Sequence, residues 1–295
     1  MNGEELTEQE TALYDRQIRV WGADAQRRLS KSHILVYGMK GTIAEFCKNI
    51  VLAGVGSLTL VDDRDVCEEA LSANFLIPPD ESVCRGKTLA ELCCDSLREF
   101  NPMVRVSVEK GDLASLGVEF FDKFDVVVIS CCSLATKKLI NEKCRKLSKR
   151  VSFYTVDCRD CCGEIFVDLQ KYNYAKKKTD GTTDCELQYP SFQVQRGLRT
   201  QAKRNFYQEP SCRSKAEKAL CEEQSLNESH IPDTLLERLV MGAKEFPPVC
   251  AIIGGTLGQE VIKAISSKGD PLKNFFFFDA TDGKGMIEDI SNPNL

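Results

Sequence analysis

One segment of the chain has the pattern of a phosphate-binding turn between a strand and a helix. The apolar run 33–37 is followed by Gly38 and Gly41, and apolar residues with helical spacing begin at Ile43. Such a turn needs glycine where the backbone approaches a pyrophosphate, with the helix N-terminus directed at the anion. Set against G-x-G-x-x-G, only Gly38 is in place, because Lys40 and Ile43 hold the other two positions. Gly41 does not restore the spacing, so a Rossmann-like turn that has lost its ligand is favoured over a nucleotide site.

An acidic residue follows the next apolar run. Asp62 ends the sequence SLTLVD, where an acidic side chain of a dinucleotide site would bind a ribose hydroxyl. A nicotinamide-dependent oxidoreductase would use such a residue, but the missing glycines argue against that class. We therefore treat Asp62 as a candidate nucleotide-binding residue of a degenerate site.

Fifteen cysteines raise the question of metal, redox or nucleophilic chemistry. Cys158 and Cys161 form a CxxC, but structural zinc usually takes four ligands, and the sequence has no second CxxC and only two histidines. Cys185, Cys212 and Cys221 lie in polar surroundings without a nucleophile motif, and a reactive thiol needs nearby cations or a helix N-terminus. We therefore expect free thiols, no metal site and no thioester-forming cysteine.

The composition argues against several classes of function. The chain has 295 residues, of which 44 are acidic and 39 basic, and a formal net charge of -5. This balance gives no reason to expect a nucleic-acid or membrane-surface partner. We expect no membrane span of about 18 apolar residues and no secretory leader, since residues 1–10 are acidic and polar. The composition favours a globular protein on the cytosolic or nuclear side.

The elements that must position the candidate residues alternate between strands and helices. Their alternation predicts an α/β fold with a Rossmann-like, doubly wound, mostly parallel sheet. Between 171 and 245 charged and polar residues dominate, which predicts a partly mobile insertion. The chain is thereby divided into 1–170, the first part of the domain, 171–245, the insertion, and 246–295, which completes the domain. The strand-like runs are 33–38, 57–62, 104–108, 125–130, 151–156, 164–169 and 274–279, and the helical stripes are 43–50, 89–100 and 252–265.

Four separated motifs resemble the adenylating domains of the ubiquitin-like-protein-activating enzymes. In the family's order they are YDRQIRVWG (14–22), LAGVGSLTLVDD (52–63), PPVCAIIGGTLGQE (247–260) and NFFFFD (274–279). In detail they match the branch that activates SUMO better than the branches for NEDD8 or ubiquitin. The resemblance implies a subunit of a heterodimeric, ATP-dependent ligase that acts on SUMO, with a catalytic partner subunit. It also implies residence in the nucleus, with the cytoplasm left open.

Departures from the family pattern imply that this chain does not bind ATP itself. Catalytically competent members carry more glycines in the turn, and an arginine in the segment that corresponds to 69–75, which has none here. They place a magnesium-binding aspartate after the strand that corresponds to 125–130, where this chain has Cys131-Cys132-Ser133-Leu134. Neither a thiol nor a hydroxyl supplies the anionic oxygen that Mg²⁺ favours. Lys87 aligns with a phosphate-contacting lysine but stands without these neighbours. We therefore expect an empty, degenerate site, whose members are Gly38, Gly41, Asp62 and Lys87.

Arg16, in the YDRQ motif, is the candidate catalytic residue. The resemblance implies that this arginine reaches across the subunit interface onto ATP, which the partner binds together with Mg²⁺. A guanidinium supplied in trans stabilises phosphate charge while the acyl-adenylate forms, as arginine fingers do. Arg19 is a second, weaker candidate. Without the family context, both arginines would be read as the solvated face of a short helix.

Three other functions stay open. A self-sufficient homodimeric adenylating enzyme of the sulfur-carrier-activating type would share the fold, but the missing arginine and magnesium aspartate argue against it. An NAD-dependent oxidoreductase remains a more distant alternative. A scaffold in which Arg16 is dispensable is also compatible with the sequence.

Overall fold

The fold is built on one central sheet and one hairpin. The computed structural model describes residues 5–178, 181–192 and 244–289. The strands in these residues are β1 (His33–Tyr37), β2 (Ser57–Val61), β3 (Arg105–Val108), β4 (Val126–Ile129), β5 (Ser152–Arg159), β6 (Cys162–Asp168), β7 (Lys171–Lys178), β8 (Gly181–Gln188), β9 (Phe275–Asp279) and β10 (Lys284–Glu288). Eight of them form the sheet in the order β10-β9-β6-β5-β4-β1-β2-β3, and β7 pairs with β8.

Most of the sheet is parallel. Strand β1 pairs in parallel with β2 and β4, and these pair in parallel with β3 and β5. Strands β6, β9 and β10 extend the sheet with antiparallel pairings. The chain moves outward from β1 to β3 and then returns to β4 on the other side of β1, which makes β1 and β4 the switch point of a doubly wound fold. The predicted fold class is therefore confirmed.

Helices cover both faces of the sheet. Buried side chains of α4, α7 and α10 form the core on one face, and those of α8 and α9 form the core on the other. The bounds are α1 (Glu8–Leu13), α2 (Asp15–Trp21), α3 (Ala23–Ser30), α4 (Gly41–Ala53), α5 (Glu68–Ala73), α6 (Glu81–Cys84), α7 (Leu89–Phe100), α8 (Val118–Phe121), α9 (Leu134–Lys146) and α10 (Pro247–Ser266).

Local sequence accounts for these elements. The predicted stripe on α4 is buried, and the helix ends where Gly54 takes the left-handed conformation that favours glycine. Strand β4, with the sequence VVVI, is buried on both faces, as a central parallel strand must be. Helix α7 begins with a capping box of Thr88 and Glu91.

The hairpin of β7 and β8 lies in the range assigned to a polar insertion. Tyr172 and Tyr189 are each 1% exposed, and their hydroxyls donate to the carbonyls of Lys263 at 2.8 Å and Leu272 at 2.9 Å. Both rings belong to the hydrophobic core that also contains buried residues of α10, so the hairpin packs against the main domain through them. Residues 193–243 lie outside the described residues, and the proposed division of the chain there stays a prediction.

Helix α10 corrects the expectation that no apolar stretch reaches the length of a membrane span. Within the described residues it is the one helix that is long and apolar enough for this, with 20 residues. It also carries Glu260, which is 5% exposed and accepts a hydrogen bond from the Leu272 backbone at 2.7 Å. Helix α10 packs against α4, and 56% of its most apolar 18 residues are buried, as is typical of a core helix.

Candidate functional site

The residues predicted for a nucleotide site gather at the carboxyl edge of the parallel strands. Gly38 follows β1, Asp62 follows β2, and Cys131 comes just after β4. These strand ends meet beside the switch point between β1 and β4, where a doubly wound sheet binds its ligand. Lys87 is engaged elsewhere, because its ammonium pairs with the carboxylate of Asp95 on α7 at 2.9 Å.

The two glycines of the turn are explained by contacts within the chain. Gly38 has a φ of 88°, and a Cβ there would lie 2.5 Å from the carbonyl oxygen of Ser130. A Cβ on Gly41 would lie 2.6 Å from the carbonyl oxygen of Ala73. Ala73, the last residue of α5, therefore packs on the start of α4, where a whole nucleotide would need the space.

The carboxylate of Asp62, predicted to bind a ribose, is held by Arg64 instead. The guanidinium donates from Nε at 2.8 Å and from Nη2 at 2.6 Å, and the backbone N–H of Met39 donates at 2.7 Å. Asp62 is 3% exposed, and its hydrogen bond with Arg64 raises the pKa of the guanidinium. Both oxygens of the predicted ribose ligand are thus already engaged in a bidentate ion pair.

Glu245 is a site residue that the sequence did not reveal. Its carboxylate accepts hydrogen bonds from the backbone N–H of Gly41 at 2.6 Å and from the hydroxyl of Thr42 at 2.8 Å. Burial raises the pKa of Glu245, while the Thr42 and Gly41 donors lower it. The residue stands 204 positions after Gly41, inside the predicted insertion, where no pattern pointed to it. The chain's own carboxylate thus occupies the donors at the start of α4, and the expectation that this chain binds no ATP stays a prediction.

The position expected to bind magnesium in this family does not fit the metal. Burial raises the pKa of Cys131 to about 12, so its thiol is protonated at neutral pH and presents no anionic ligand. The nearby Asp157 forms an ion pair with Lys137, which is 1% exposed. Across the described residues, no three acidic, cysteine or histidine side chains form a group that could hold a metal ion.

The CxxC lies at the hairpin between β5 and β6. Cys158 is 6% exposed, and burial raises the pKa of its thiol, while Cys161 sits in the turn. Every cysteine among residues 5–178, 181–192 and 244–289 is a free thiol, including Cys185 on β8. Cys212 and Cys221 lie outside the described residues, so their expected lack of reactivity stays a prediction.

Arg16 lies on the short helix α2, which is anchored on both sides of it. Before the helix, Tyr14 is 3% exposed, and its hydroxyl accepts a hydrogen bond from Asn101 Nδ2 at 2.8 Å. Within the helix, Gln17 Nε2 donates to the carbonyl of Leu52 at 3.0 Å. Within the YDRQ motif, Tyr14 and Gln17 thus attach the helix, whereas Asp15 and Arg16 are exposed.

The end of α2 is attached through Trp21. The indole N–H donates to Gln26 Oε1 at 3.0 Å, and Gln26 Nε2 donates to the carbonyl of Ala53 at 2.9 Å. The ammonium of Lys268, just after α10, donates to the backbone carbonyl of Trp21 at 2.6 Å. Trp21 therefore anchors the end of α2 to the rest of the domain.

The two candidate arginines differ in their surroundings. Arg19 pairs with Asp15 at 2.9 Å. Arg16 makes no hydrogen bond or ion pair with any residue in the described ranges. Val20, one turn further along the same face of α2, is 80% exposed. Arg16 therefore belongs to an open face that combines an unpaired cation with an apolar side chain.

Arg16 and the degenerate pocket lie at opposite ends of α4. The anchors of α2 contact Leu52 and Ala53, the last two residues of that helix, whereas the pocket is at Gly41, its first residue. Thirteen helical residues span about 20 Å. The structure therefore separates Arg16 from Gly38, Gly41 and Asp62.

Comparisons with known proteins match the whole chain. The model of the ThiF family matches residues 14–294. SUMO-activating enzyme subunit 1A of Arabidopsis thaliana is 64% identical, over 99% of this chain and 99% of that protein. SUMO-activating enzyme subunit 1 of Homo sapiens is 32% identical, over 96% of each chain. A crystal structure of PaaA in selenomethionine form has a TM-score of 0.65 at 15% identity, over 98% of this chain and 76% of that one, which bears on the fold alone.

Proposed function

This chain belongs to the ThiF family, and we propose that it is the non-catalytic subunit of a heterodimeric SUMO-activating enzyme, with Arg16 supplied in trans to ATP on the partner. In this proposal the partner subunit binds ATP and Mg²⁺. The C-terminal carboxylate of SUMO attacks the α-phosphorus of ATP and pyrophosphate leaves. A cysteine thiol of the partner then attacks the acyl-adenylate, and AMP leaves as the thioester forms. The complex is an ATP-dependent ligase of the nucleus or cytoplasm, without nucleic-acid or membrane partners.

The position of Arg16 is the observation that carries this proposal. Its guanidinium is exposed and unpaired within the described residues, and the length of α4, about 20 Å, separates it from the chain's own pocket. An arginine so placed does not act on a nucleotide in its own subunit, but it is available to phosphates presented by another. A planar, permanently charged fork is well suited to that task.

The closed pocket supports the assignment of ATP to the partner. Asp62 is neutralised by Arg64, Asp157 pairs with Lys137, and Glu245 sits at the start of α4. Three phosphates need unpaired cations and free backbone donors. At the turn, the N–H groups of Gly41 and Thr42 already donate to Glu245, and Arg64 and Lys137 are already paired.

An assembly through the face of α2 follows from the same geometry. Val20 is 80% exposed and Leu13, just before the helix, is 56% exposed. Large apolar side chains exposed beside an unpaired arginine are typical of surfaces that a partner covers. The names of the similar proteins, which are numbered subunits of SUMO-activating enzymes, support a second subunit as that partner.

SUMO-dependent exchange of pyrophosphate into ATP tests the proposal. The samples are this chain alone, the chain with the catalytic subunit, and the same pair carrying Arg16→Ala. We expect no exchange by the chain alone, strong exchange by the pair, and a loss of about 10³-fold with Arg16→Ala, because one stabilising charge is removed from the transition state. Arg16→Lys should recover part of the rate, since it restores the charge without the planar fork.

Arg19→Ala is the matched control. Arg19 lies on the same helix and is equally charged, but it is held by Asp15 in an exposed pair, so its loss should change the rate less than about fivefold. Gel filtration of each pair establishes that assembly is intact. Full exchange by the pair that carries Arg16→Ala would exclude a role of Arg16 in catalysis and favour the scaffold function. Exchange by the chain alone would favour the homodimeric adenylating enzyme.

A further inference from the structure

The N-terminus of α4 holds a carboxylate at the position where a phosphate-binding turn holds its anion. Glu245 Oε2 accepts from the N–H of Gly41 at 2.6 Å, and Oε1 accepts from the Thr42 hydroxyl at 2.8 Å and from its N–H at 3.4 Å. The first N–H groups of a helix have no partner within the helix, and together with the helix dipole they attract an anion. The residue before the helix, Lys40, makes no side-chain cap, so the carboxylate of Glu245 takes that role.

The carboxylate is delivered by a segment that is itself fixed in place. Glu245 pairs in a parallel bridge with Asp160, and the N–H of Asp160 donates to the carbonyl of Lys244 at 2.6 Å. Two residues later the chain enters α10. Glu245 is 8% exposed, so its charge is largely removed from water and depends on the donors of α4 and on the nearby charge of Lys40.

Other groups of the pocket stand where the rest of a nucleotide would bind. The guanidinium of Arg64 donates two hydrogen bonds to the carboxylate of Asp62, which would otherwise accept from a ribose hydroxyl. Ala73 lies against Gly41 so closely that even a methyl group on that glycine would not fit. A small oxyanion could replace the carboxylate of Glu245, but a whole nucleotide would meet both obstacles.

We propose that the N-terminus of α4 is a working oxyanion site whose resident ligand is the chain's own Glu245, and that inorganic phosphate or pyrophosphate binds there only when this carboxylate is removed. In this arrangement, the hydrogen bonds of Glu245 attach the segment just before α10 to the start of α4. The proposal concerns this chain alone and does not depend on the action of Arg16.

Thermal unfolding of the full chain tests it, with inorganic phosphate or pyrophosphate added against sodium chloride of equal ionic strength. We expect Glu245→Ala to lower the unfolding midpoint by about 4–8 °C, since it leaves buried donors unsatisfied. Phosphate or pyrophosphate should then restore at least half of the loss in a saturable manner. The wild-type chain should show no such response, because its site is occupied.

Glu260→Ala is the matched control. Glu260 is also a buried glutamate that accepts a backbone N–H, from Leu272, but it lies far along α10 and caps no helix N-terminus. Its removal should lower the midpoint without creating a response to phosphate. Adding Thr42→Val to Glu245→Ala should weaken the response, because a donor of the site is lost.

Three results would overturn the proposal. A Glu245→Ala chain that responds to phosphate no more than the Glu260→Ala chain has no oxyanion site at α4. A wild-type chain that responds equally does not hold Glu245 in that site. ATP that stabilises Glu245→Ala more than pyrophosphate does would mean that the pocket has kept its nucleotide site. Glu245→Gln, which keeps the side-chain volume, guards against a variant that does not fold, and its response should lie between wild type and Glu245→Ala.

Discussion

Replacing Tyr14 by alanine should destabilise the protein and displace helix α2, which carries Arg16. Tyr14 lies between α1 and α2, and it is 3% exposed. The ring lies so close to the end of α4 that a Cβ on Gly54 would be 2.3 Å from Cζ of the tyrosine. Its hydroxyl accepts a hydrogen bond from Asn101 at 2.8 Å. Removal of the ring therefore leaves a cavity where the start of α2 packs against the end of α4.

The ring and the hydroxyl contribute unequally. Loss of a buried aromatic ring costs about 3–5 kcal/mol. Loss of the hydroxyl alone, in Tyr14→Phe, costs about 1 kcal/mol, because the Asn101 amide keeps the carbonyl of Val51 as an acceptor at 2.9 Å. At about 2–4 °C per kcal/mol for a chain of this size, Tyr14→Ala should lower the unfolding midpoint by about 6–20 °C and Tyr14→Phe by about 2–4 °C.

Calorimetry of the two variants measures these costs, and pyrophosphate exchange with the catalytic subunit measures the effect on Arg16. Tyr14→Phe should exchange at close to the wild-type rate. Tyr14→Ala should lose most of its exchange at temperatures where it is still folded, because α2 is no longer held against α4. Equal losses of unfolding free energy for the two variants, or a loss below about 1 kcal/mol for Tyr14→Ala, would refute this account of how α2 is attached.

Two further predictions concern a buried charge and the thiols. Arg145→Met should cost about 3–5 kcal/mol in urea unfolding, because Asp168 is 0% exposed and would lose the guanidinium that donates from Nε at 2.7 Å; a cost under about 1 kcal/mol would contradict this. With iodoacetamide in mildly alkaline solution, exposed Cys67 should react, whereas Cys93, whose pKa burial raises to about 12, should react only after unfolding. Peptide mass spectrometry distinguishes the two, and equal labelling in the folded chain would argue against the packing of α7.

The elements and the order of the fold could be predicted because their signals are local. The run VVVI can be buried only as a central strand, and the stripe on α4 repeats at the spacing of one helical face. The alternation of such runs restricts the topology to a doubly wound sheet. The hairpin of β7 and β8 has the same kind of signal, since Tyr172 and Tyr174 alternate with polar residues, but the charged residues around them concealed it.

The candidate site was predicted in part. The YDRQ motif pointed to Arg16, and the missing glycines pointed to a degenerate pocket. That Asp62 would be bound by Arg64 could have been suspected from their separation of two residues, yet the sequence does not distinguish this pair from a free ribose ligand. The role proposed for Arg16 in trans stays a prediction until exchange is measured.

The sequence by itself determined the α/β class, the course of the buried strands and the residues whose chemistry was worth testing. Only the tertiary structure decided that the pocket is filled and that Arg16 lies at the far end of α4 from it. The physical reason is the range of the contacts. Helix and strand periodicity act over a few residues, whereas the carboxylate of Glu245 reaches Gly41 across 204 positions, and only the packing of α10 against α4 brings the two together.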